Sequence, residues 1–226
     1  MNLTKSIKNL TKTEKILWIS SMLTVFISSL LSPEADLLSS VTSLIGAGAL
    51  IFVGKGDPIG QLLSIIFSLF YALVSFRFRY WGEMITYLGM TFPAASWALF
   101  EWIRNPYTER EVKVAQMTPK KWGLLCLGTI LITLIMWRVL AFFNTPNLAI
   151  STVSIATSFF ACALVILRSP YYALFYGLND IVLITLWVLA SIEDRGYIPM
   201  VVCFIIFLAN DTYGFINWRR MENYQG

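Results

Sequence analysis

Long apolar blocks separated by short polar segments form the main pattern of this sequence. Each block is close to the about 20 residues that an α-helix needs to cross the hydrocarbon core of a bilayer. The pattern therefore predicts an all-α polytopic membrane protein with eight transmembrane helices. The predicted spans are residues 16–31, 37–54, 59–78, 82–103, 122–143, 149–168, 171–191 and 197–218.

The basic residues predict how these spans are oriented. Lysine and arginine collect on the cytoplasmic side of membrane proteins. With a cytoplasmic N-terminus, thirteen of the 17 lysines and arginines fall on the inner side, and the other four are Arg77, Arg79, Arg138 and Arg195. One span more or fewer would destroy this bias. We therefore expect both termini to be cytoplasmic.

The ends of the fourth and eighth spans indicate an internal repeat. Aligning Trp102 with Trp218 also aligns Trp97 with Tyr213. Four crossings separate the aligned helices, so the two units point the same way, as in a parallel repeat. The predicted organisation is an N-terminal tail and extra helix (1–36), a first three-helix repeat (37–105), a cytoplasmic loop and linker helix (106–148), and a second repeat with a C-terminal tail (149–226).

Composition narrows the classes of function. The chain is 57% hydrophobic and 13% charged, where a soluble domain carries about 25% charge. It contains no histidine, and its three cysteines lie inside apolar blocks without metal-ligand spacing. We therefore expect neither a metal nor a cofactor. The basic residues flank apolar spans and form no patch, so we expect no nucleic-acid partner.

Polar side chains lie deep in the last two predicted spans. Asn179 and Asp180 lie one to two turns into the seventh span, and Asn210, Asp211 and Tyr213 lie deep in the eighth. A charged group in hydrocarbon costs about 2.5–3.5 kcal/mol on insertion scales unless it faces protein or water. We therefore expect a polar pocket between these helices, forming the wall of a solute pathway.

Aromatic residues share a face with the first of these amides. At 100° per residue, Tyr172, Phe175 and Tyr176 lie on the same side of the helix as Asn179. Such a set suits a planar, cationic heterocycle with a sugar attached. In the first repeat the polar candidates are Gln61, Tyr71, Glu83, Tyr87 and Trp97. The predicted substrate-binding residues are Tyr172, Phe175, Tyr176, Asn179, Asp180, Asn210, Asp211, Tyr213, Trp97 and Gln61.

The same residues have structural interpretations. Aromatic rings at helical spacing often only pack, and an asparagine or aspartate can simply join two helices. Asp180 and Asp211 could each be protonated, paired with Arg138, or facing water. Glu83 follows two arginines at the outer boundary, where an interfacial ion pair is an alternative role.

Three short motifs occur together in this chain. Y-x-x-F-x-x-x-N at 172–179 follows the pattern W-x-x-W-x-x-x-N/D with other aromatics in place of both tryptophans, and N-D-T-Y at 210–213 precedes a tryptophan and two arginines. Y-W-G-E-M at 80–84 opens the last helix of the first repeat. On these motifs, residues 37–221 resemble the bacterial nicotinamide riboside transporter family (PnuC).

The resemblance implies a 3+1+3 core related to the SWEET sugar transporters, in a homotrimer in the bacterial inner membrane. It implies uptake of nicotinamide riboside by facilitated diffusion, with phosphorylation in the cytoplasm trapping the product. Thiamine or another vitamin precursor is the alternative ligand, since thiamine is also a cationic heterocycle.

Two other classes of function compete with transport. A membrane enzyme acting on lipids would need an acid, base or nucleophile at the interface, and the outer candidates are Glu83, Glu193 and Asp194. No histidine or metal set accompanies them, so we expect no enzyme. A scaffold or substrate-binding subunit would bind ligand but give no flux without a partner.

Overall fold

The computed structural model of the chain describes residues 3–31, 37–77, 81–145, 147–193 and 198–226. The helices are α1 (Leu3–Lys8), α2 (Lys12–Leu31), α3 (Leu37–Lys55), α4 (Pro58–Arg77), α5 (Trp81–Thr86), α6 (Phe92–Arg104), α7 (Pro119–Phe142), α8 (Leu148–Ile166), α9 (Tyr172–Glu193) and α10 (Ile198–Gln225). A π-helical segment (Tyr87–Thr91) joins α5 to α6. Strands β1 (Pro106–Thr108) and β2 (Glu111–Val112) form a short antiparallel hairpin after α6.

The all-helical, multi-pass architecture is confirmed. Each predicted span coincides with described helix over most of its length. Residues 143, 167, 168 and 171 lie in turns, and residues 78 and 197 lie outside the described residues. Five described helices are long and apolar enough to cross a membrane: Lys12–Leu31, Pro119–Phe142, Leu148–Ile166, Tyr172–Leu189 and Met200–Gln225. Two shorter apolar helical segments are Ser40–Gly54 and Pro58–Val74.

The predicted span 82–103 is not one regular helix. Its middle, Tyr87–Thr91, is wound as a π-helix. Pro93 has no N–H to donate to the carbonyl of Gly89, so the regular hydrogen-bond ladder is interrupted at this turn. Gly89 has no neighbouring atom within 4 Å of where a Cβ would lie, so the widened turn is not crowded. Such π-helical turns occur mostly as local insertions in α-helices and often at functional sites.

The helices pack as two groups of three. In the first group α4 packs on both α3 and α6, and in the second α9 packs on both α8 and α10. The groups meet where α10 contacts α3 and where α6 contacts α8. Helix α2 lies against α3 and α10, and α7 lies against α8.

Two buried tryptophans form the centre of the contact between the groups. The rings of Trp102 and Trp218 lie 5.3 Å apart, and neither side chain is exposed to solvent. Trp102 Nε1 donates to the carbonyl of Val165 in α8 at 3.1 Å, and Trp218 Nε1 donates to the carbonyl of Val53 in α3 at 3.0 Å. Each group thus satisfies an indole of the other.

The C-terminal ends of α3 and α8 share one geometry. After α3, Gly56 has φ +74°, and its N–H donates to Val53 O at 3.0 Å. After α8, Arg168 has φ +55°, and its N–H donates to Val165 O at 3.0 Å. A left-handed residue just past a helix satisfies the last carbonyls in this way.

The first part of the predicted cytoplasmic loop and linker helix (106–148) packs onto the bundle. Val112 is fully buried, and its N–H donates to the carbonyl of Gly56 at 3.0 Å. Gln225 Oε1 accepts from the N–H of Val114 at 2.7 Å, which fastens the same segment to the end of α10. The hairpin therefore closes one end of the helix bundle.

Candidate functional site

A cavity of about 420 Å³ lies between the two groups of helices. Its walls come from α3, α4, the π-helical segment and α6 on one side, and from α8, α9 and α10 on the other. Small-molecule sites in proteins typically measure about 300–1,000 Å³. The cavity therefore has room for one ligand of the size of a nucleoside or vitamin.

An oriented amide lies on the α9 side of the cavity. Asn179 Oδ1 accepts hydrogen bonds from Ser154 Oγ at 3.0 Å and from Thr157 Oγ1 at 2.8 Å, both on α8. No described residue accepts a hydrogen bond from the amide nitrogen of Asn179. Two hydroxyl donors thus hold the carbonyl end, which leaves the NH2 group as a donor toward a ligand.

Two carboxyl groups face each other beside this amide. Asp180 on α9 and Asp211 on α10 both line the cavity, and their carboxyl groups lie within hydrogen-bonding reach of each other. Asp180 is only 3% exposed, and no donor among the described residues reaches its Oδ2. Two carboxyl groups this close can share a hydrogen bond only when one of them holds a proton.

Aromatic rings form the opposite wall. Phe67 of α4 and Tyr87 of the π-helical segment line the cavity, with ring centroids 5.7 Å apart. Tyr71 lies behind them, its ring 4.2 Å from that of Tyr87. A Cβ on Gly46 would lie 2.7 Å from Phe67 Cε2, so the ring keeps its position only because residue 46 is glycine.

Two tyrosines of α9 complete the aromatic lining. Tyr172 packs on Trp218 with centroids 4.9 Å apart, and Tyr176 lies 6.2 Å from Tyr172 in an edge-on arrangement. The hydroxyl of Tyr176 is 3.2 Å from Cys162 Sγ on α8. These tyrosines place two further ring edges beside the acidic pair.

The charge of the lining is one-sided. Among the described residues, the cavity is lined by two aspartates and by no lysine or arginine. Aromatic faces attract cations through their negative electron density. The arrangement therefore suits a flat, positively charged ring with hydroxyl or amide groups attached.

The structure brings six of the ten predicted site residues together around this cavity: Gln61, Tyr172, Tyr176, Asn179, Asp180 and Asp211. The other four, Trp97, Phe175, Asn210 and Tyr213, do not line it.

Asn210 and Tyr213 face the N-terminal helix α2. Asn210 Nδ2 donates to Ser21 Oγ at 2.9 Å, and the Tyr213 hydroxyl donates to Glu14 Oε1 at 2.5 Å. The structure therefore does not bring Asn179 and Asn210 into one cavity. Consecutive helical residues point about 100° apart, so with Asp211 facing the cavity Asn210 faces α2.

Phe175 and Trp97 also have other surroundings. Phe175 stacks on Phe160 of α8 with ring centroids 4.2 Å apart, in the aromatic packing between α8 and α9. Trp97 is 61% exposed on the outer side of α6. Arg138, considered as an ion-pair partner for the aspartates, lies over the ring of its neighbour Trp137.

Several lining residues were not predicted as site residues. Ser154 lines the cavity, and Thr157, which does not, bonds the same oxygen of Asn179. The two are three residues apart in an apolar span, a spacing that places two hydroxyls on one helix face. No sequence feature marked Phe67 and Gly46 as site residues, because the contact between them depends on how α3 and α4 pack. The side chains of Glu83 and Glu193, together with Tyr80 and Asp194, lie outside the described residues.

The fold and the cavity together define the class of protein. A bundle of membrane-spanning helices in two groups, with a ligand-sized cavity of aromatic and carboxyl side chains between them, is the arrangement of a membrane transporter. A sequence profile of the family described as nicotinamide mononucleotide transporter matches residues 36–220. The chain belongs to this family, which is one of transporters and not of enzymes.

Individual relatives agree with this assignment. The chain is 28% identical over 191 residues to the nicotinamide riboside transporter PnuC of Neisseria mucosa, covering 81% of this chain and 72% of that one. It is 24% identical over 211 residues to PnuC of Haemophilus influenzae, covering 92% of this chain and 90% of that one. A crystal structure of the vitamin B3 transporter PnuC has the same fold, with a TM-score of 0.82, 24% identity, and 96% of this chain and 95% of that chain covered.

Proposed function

We propose that this protein takes up nicotinamide riboside by facilitated diffusion, with intracellular phosphorylation retaining the product. The observation that carries the proposal is the acidic, aromatic cavity between the two groups of helices. Nicotinamide riboside has a cationic pyridinium ring, a carboxamide and a ribose. The ring would lie against Phe67 and Tyr87, near the Asp180–Asp211 pair, and the amide of Asn179 would donate to a ligand oxygen.

The lining favours the riboside over its phosphorylated form. Proteins recognise phosphate with arginine, lysine or helix N-termini. The described lining offers two carboxyl groups and no basic side chain, so a phosphate would be repelled. The relatives from Neisseria mucosa and Haemophilus influenzae are both named as riboside transporters, which supports the same ligand.

Thiamine is the alternative ligand. Its thiazolium ring is also cationic and aromatic, so charge and ring stacking alone do not separate it from nicotinamide riboside. Riboflavin, which is neutral, provides the control for a ligand that only stacks.

We infer that the chain crosses the membrane eight times as an extra N-terminal helix followed by a 3+1+3, SWEET-like core. The reciprocal bonds of Trp102 and Trp218 and the matching ends of α3 and α8 support two parallel repeats. The charge pattern supports cytoplasmic termini, and the inner-membrane location rests on the family resemblance. Assembly as a homotrimer rests on the family resemblance.

Transport into liposomes with the purified protein reconstituted in their membrane tests the function. With labelled nicotinamide riboside outside and no ion gradient or membrane potential, we expect saturable uptake that stops when the two concentrations are equal. Accumulation of the ligand above its outside concentration, in liposomes that contain no phosphorylating enzyme, would contradict facilitated diffusion. Flux that appears only after another subunit is added would favour the substrate-binding subunit.

Thermal unfolding of the purified protein tests the ligand. A ligand that binds only the folded state raises stability by RT ln(1 + [L]/Kd). We expect nicotinamide riboside to give the largest shift in a panel with thiamine, riboflavin and nicotinamide mononucleotide. A larger rise in unfolding temperature with thiamine would indicate that thiamine is the ligand.

A further inference from the structure

A short segment that begins in β2 joins both groups of helices at one end of the bundle. We call residues 111–115 the strap. The N–H of Val112 donates to the carbonyl of Gly56 at 3.0 Å, and the N–H of Ala115 donates to the carbonyl of Arg168 at 2.9 Å. Gly56 and Arg168 are the left-handed residues that follow α3 and α8. The strap therefore binds equivalent carbonyls of the two groups.

A packed apolar core separates the strap from the cavity. Members of this core include Val53, Val165, Tyr172, Trp102, Trp218 and Val112. The first three also line the cavity, and the last belongs to the strap. In the other direction the cavity extends to the end of α7. A ligand can therefore leave toward the strap only if this core opens, which requires the two groups to separate there.

The hairpin is built on the end of α6. The N–H and the side-chain amide of Asn105 both donate to the carbonyl of Glu101 in the last turn of α6, at 3.1 and 2.8 Å. The carbonyl of Asn105 accepts from the N–H of Lys113 at 2.8 Å, which closes the base of the hairpin. Residues 113–118 belong to neither helix nor strand and leave slack before α7. We therefore expect the strap to move with α6 and the first group.

Gln225, near the end of α10, supplies side-chain bonds that join the strap to the second group. Its Oε1 accepts from the N–H of Val114 at 2.7 Å, and its Nε2 donates to Glu111 Oε1 at 2.8 Å and to the carbonyl of Val112 at 3.2 Å. The side chains of Gln225 and Glu111 are both partly exposed. Water can replace these bonds when the joint opens, so the joint with the second group is reversible.

We propose that the strap is a releasable latch at the cytoplasmic end of the transporter. It moves with α6 and must leave Arg168 and Gln225 before the ligand can pass to the cytoplasm. The inference rests on the proposed function, because facilitated diffusion needs a site that opens to each side in turn. Opening the joint moves no ion across the membrane, and it occurs with the cavity loaded or empty, as a passive carrier requires.

Two engineered disulfides at matched hydrogen bonds test where the strap releases. Ala115→Cys/Arg168→Cys would join the strap to the second group, and Asn105→Cys/Lys113→Cys would join it to its own group. One backbone hydrogen bond links each pair, at 2.9 and 2.8 Å, which brings the two residues within reach of a disulfide. The background for both variants is Cys126→Ala/Cys162→Ala/Cys203→Ala.

The two disulfides should have opposite effects on transport. With the 115–168 disulfide formed, we expect the flux of nicotinamide riboside into liposomes to fall by about tenfold or more and to return on reduction. Its Kd should stay within about threefold of the reduced value, because neither Ala115 nor Arg168 lines the cavity. The 105–113 disulfide should leave both flux and Kd unchanged.

Weakening the joint gives a second measurement that needs no ligand. In the same background, Ser158→Cys places a thiol in the cavity wall, where a membrane-impermeant maleimide applied from the hairpin side reports when that end opens. Adding Gln225→Ala should raise the labelling rate about threefold or more, because the joint loses the bonds of this amide. Gln116→Ala removes an exposed amide next to the strap and should leave the rate unchanged.

The outcomes separate this inference from the function beneath it. Full flux with the 115–168 disulfide would overturn the latch and leave the proposed transport intact. Lost flux with the 105–113 disulfide would also overturn it, because the hairpin would then have to move relative to α6. An unchanged labelling rate in Gln225→Ala would overturn it as well, even if a disulfide does not form. If the wild-type protein neither binds nor transports nicotinamide riboside, the proposed function falls, while the labelling rates still test the latch.

Discussion

Trp102 and Trp218 contact each other and exchange equivalent hydrogen bonds with opposite halves of the bundle. Their rings are 5.3 Å apart, and each indole N–H reaches a carbonyl in the first helix of the other group, Val165 O or Val53 O. The same two residues align in the sequence. The alignment treats them as equivalent positions of a repeat, and their contact in the structure was not predicted from it.

Replacing either tryptophan with phenylalanine should destabilise the protein to a similar degree. Each change removes one of the two donors to a buried carbonyl, which keeps its bond from the N–H of Gly56 or Arg168, and also removes part of a packed ring. We expect a loss of about 1–3 kcal/mol. Thermal unfolding in detergent would measure both variants. Trp137→Phe, at an exposed position on α7, is the matched control and should leave stability unchanged. A large loss in one variant and none in the other would contradict equivalent roles.

The positions of the helices and the equivalence of the two tryptophans could be predicted because both depend on local pattern, whereas the contact between the two rings could not. Apolar length places each helix, and the tryptophans follow from the recurrence of one motif. The direction of Asn210 was not predictable in the same way. Neighbouring positions on a helix differ by about 100°, and the choice between Asn210 and Asp211 depends on where α2 packs.

The contact between Tyr213 and Glu14 should stabilise the protein without determining ligand affinity. Tyr213 donates to Glu14 Oε1 at 2.5 Å, and Lys55 contacts Glu14 Oε2 at 2.8 Å, so α2, α3 and α10 meet at one carboxylate. Tyr213→Phe should lower stability by about 1–3 kcal/mol, as expected for a lost hydrogen bond to a charged group. Thermal unfolding without ligand would measure this loss.

Binding of nicotinamide riboside to the same variant provides the second measurement. Tyr213 does not line the cavity, so we expect Kd to stay within about threefold of the wild-type value. Tyr107→Phe, on the hairpin, removes a hydroxyl from an exposed tyrosine and serves as the control. Weak binding with unchanged stability would instead assign Tyr213 to the ligand site.

Gly46→Ala should narrow the cavity from the α3 side. The added methyl group would lie 2.7 Å from Phe67 Cε2, which forces the ring to move. A displaced ring loses its stacking surface for the ligand, so we expect Kd to rise about tenfold or more, in line with the about 0.5–1.5 kcal/mol of an aromatic pair plus lost packing. Calorimetric titration with nicotinamide riboside would measure the change.

Two further variants test the cause of that effect. Gly128→Ala places a methyl group at an ordinary 3.7 Å from Phe159 and should leave Kd unchanged. Adding Phe67→Leu to Gly46→Ala relieves the contact, so the protein should regain thermal stability without regaining ring stacking. A Gly46→Ala protein that binds like the wild type would show that the position of Phe67 does not matter for the ligand.

The widened turn at Tyr87–Thr91 shows another limit of sequence reasoning. The apolar pattern of span 82–103 is continuous, and only Gly89 and Pro93 signal a change within it. Whether such residues kink, widen or leave a helix unchanged depends on its neighbours. Here the turn directs Tyr87 toward Phe67, and this contact between α4 and the π-helical segment supplies the aromatic wall.

Removing the polar side chain of Asn179 should weaken ligand binding strongly and lower the stability of the fold much less. Asn179→Ala removes the NH2 donor and leaves the hydroxyls of Ser154 and Thr157 without their shared acceptor. Both hydroxyls can rotate to donate instead to carbonyls one turn back in their own helix, and Val153 O already lies 3.0 Å from Thr157 Oγ1. We therefore expect a modest loss of thermal stability but a rise in Kd of about 5- to 150-fold, corresponding to about 1–3 kcal/mol for an unpaired buried ligand group.

Trp97→Leu, on the exposed side of α6, is the control and should bind normally. If Asn179→Ala bound as well as the control while Asp180→Asn did not, the carboxyl pair alone would recognise the ligand, and the amide would serve only to hold α8 against α9.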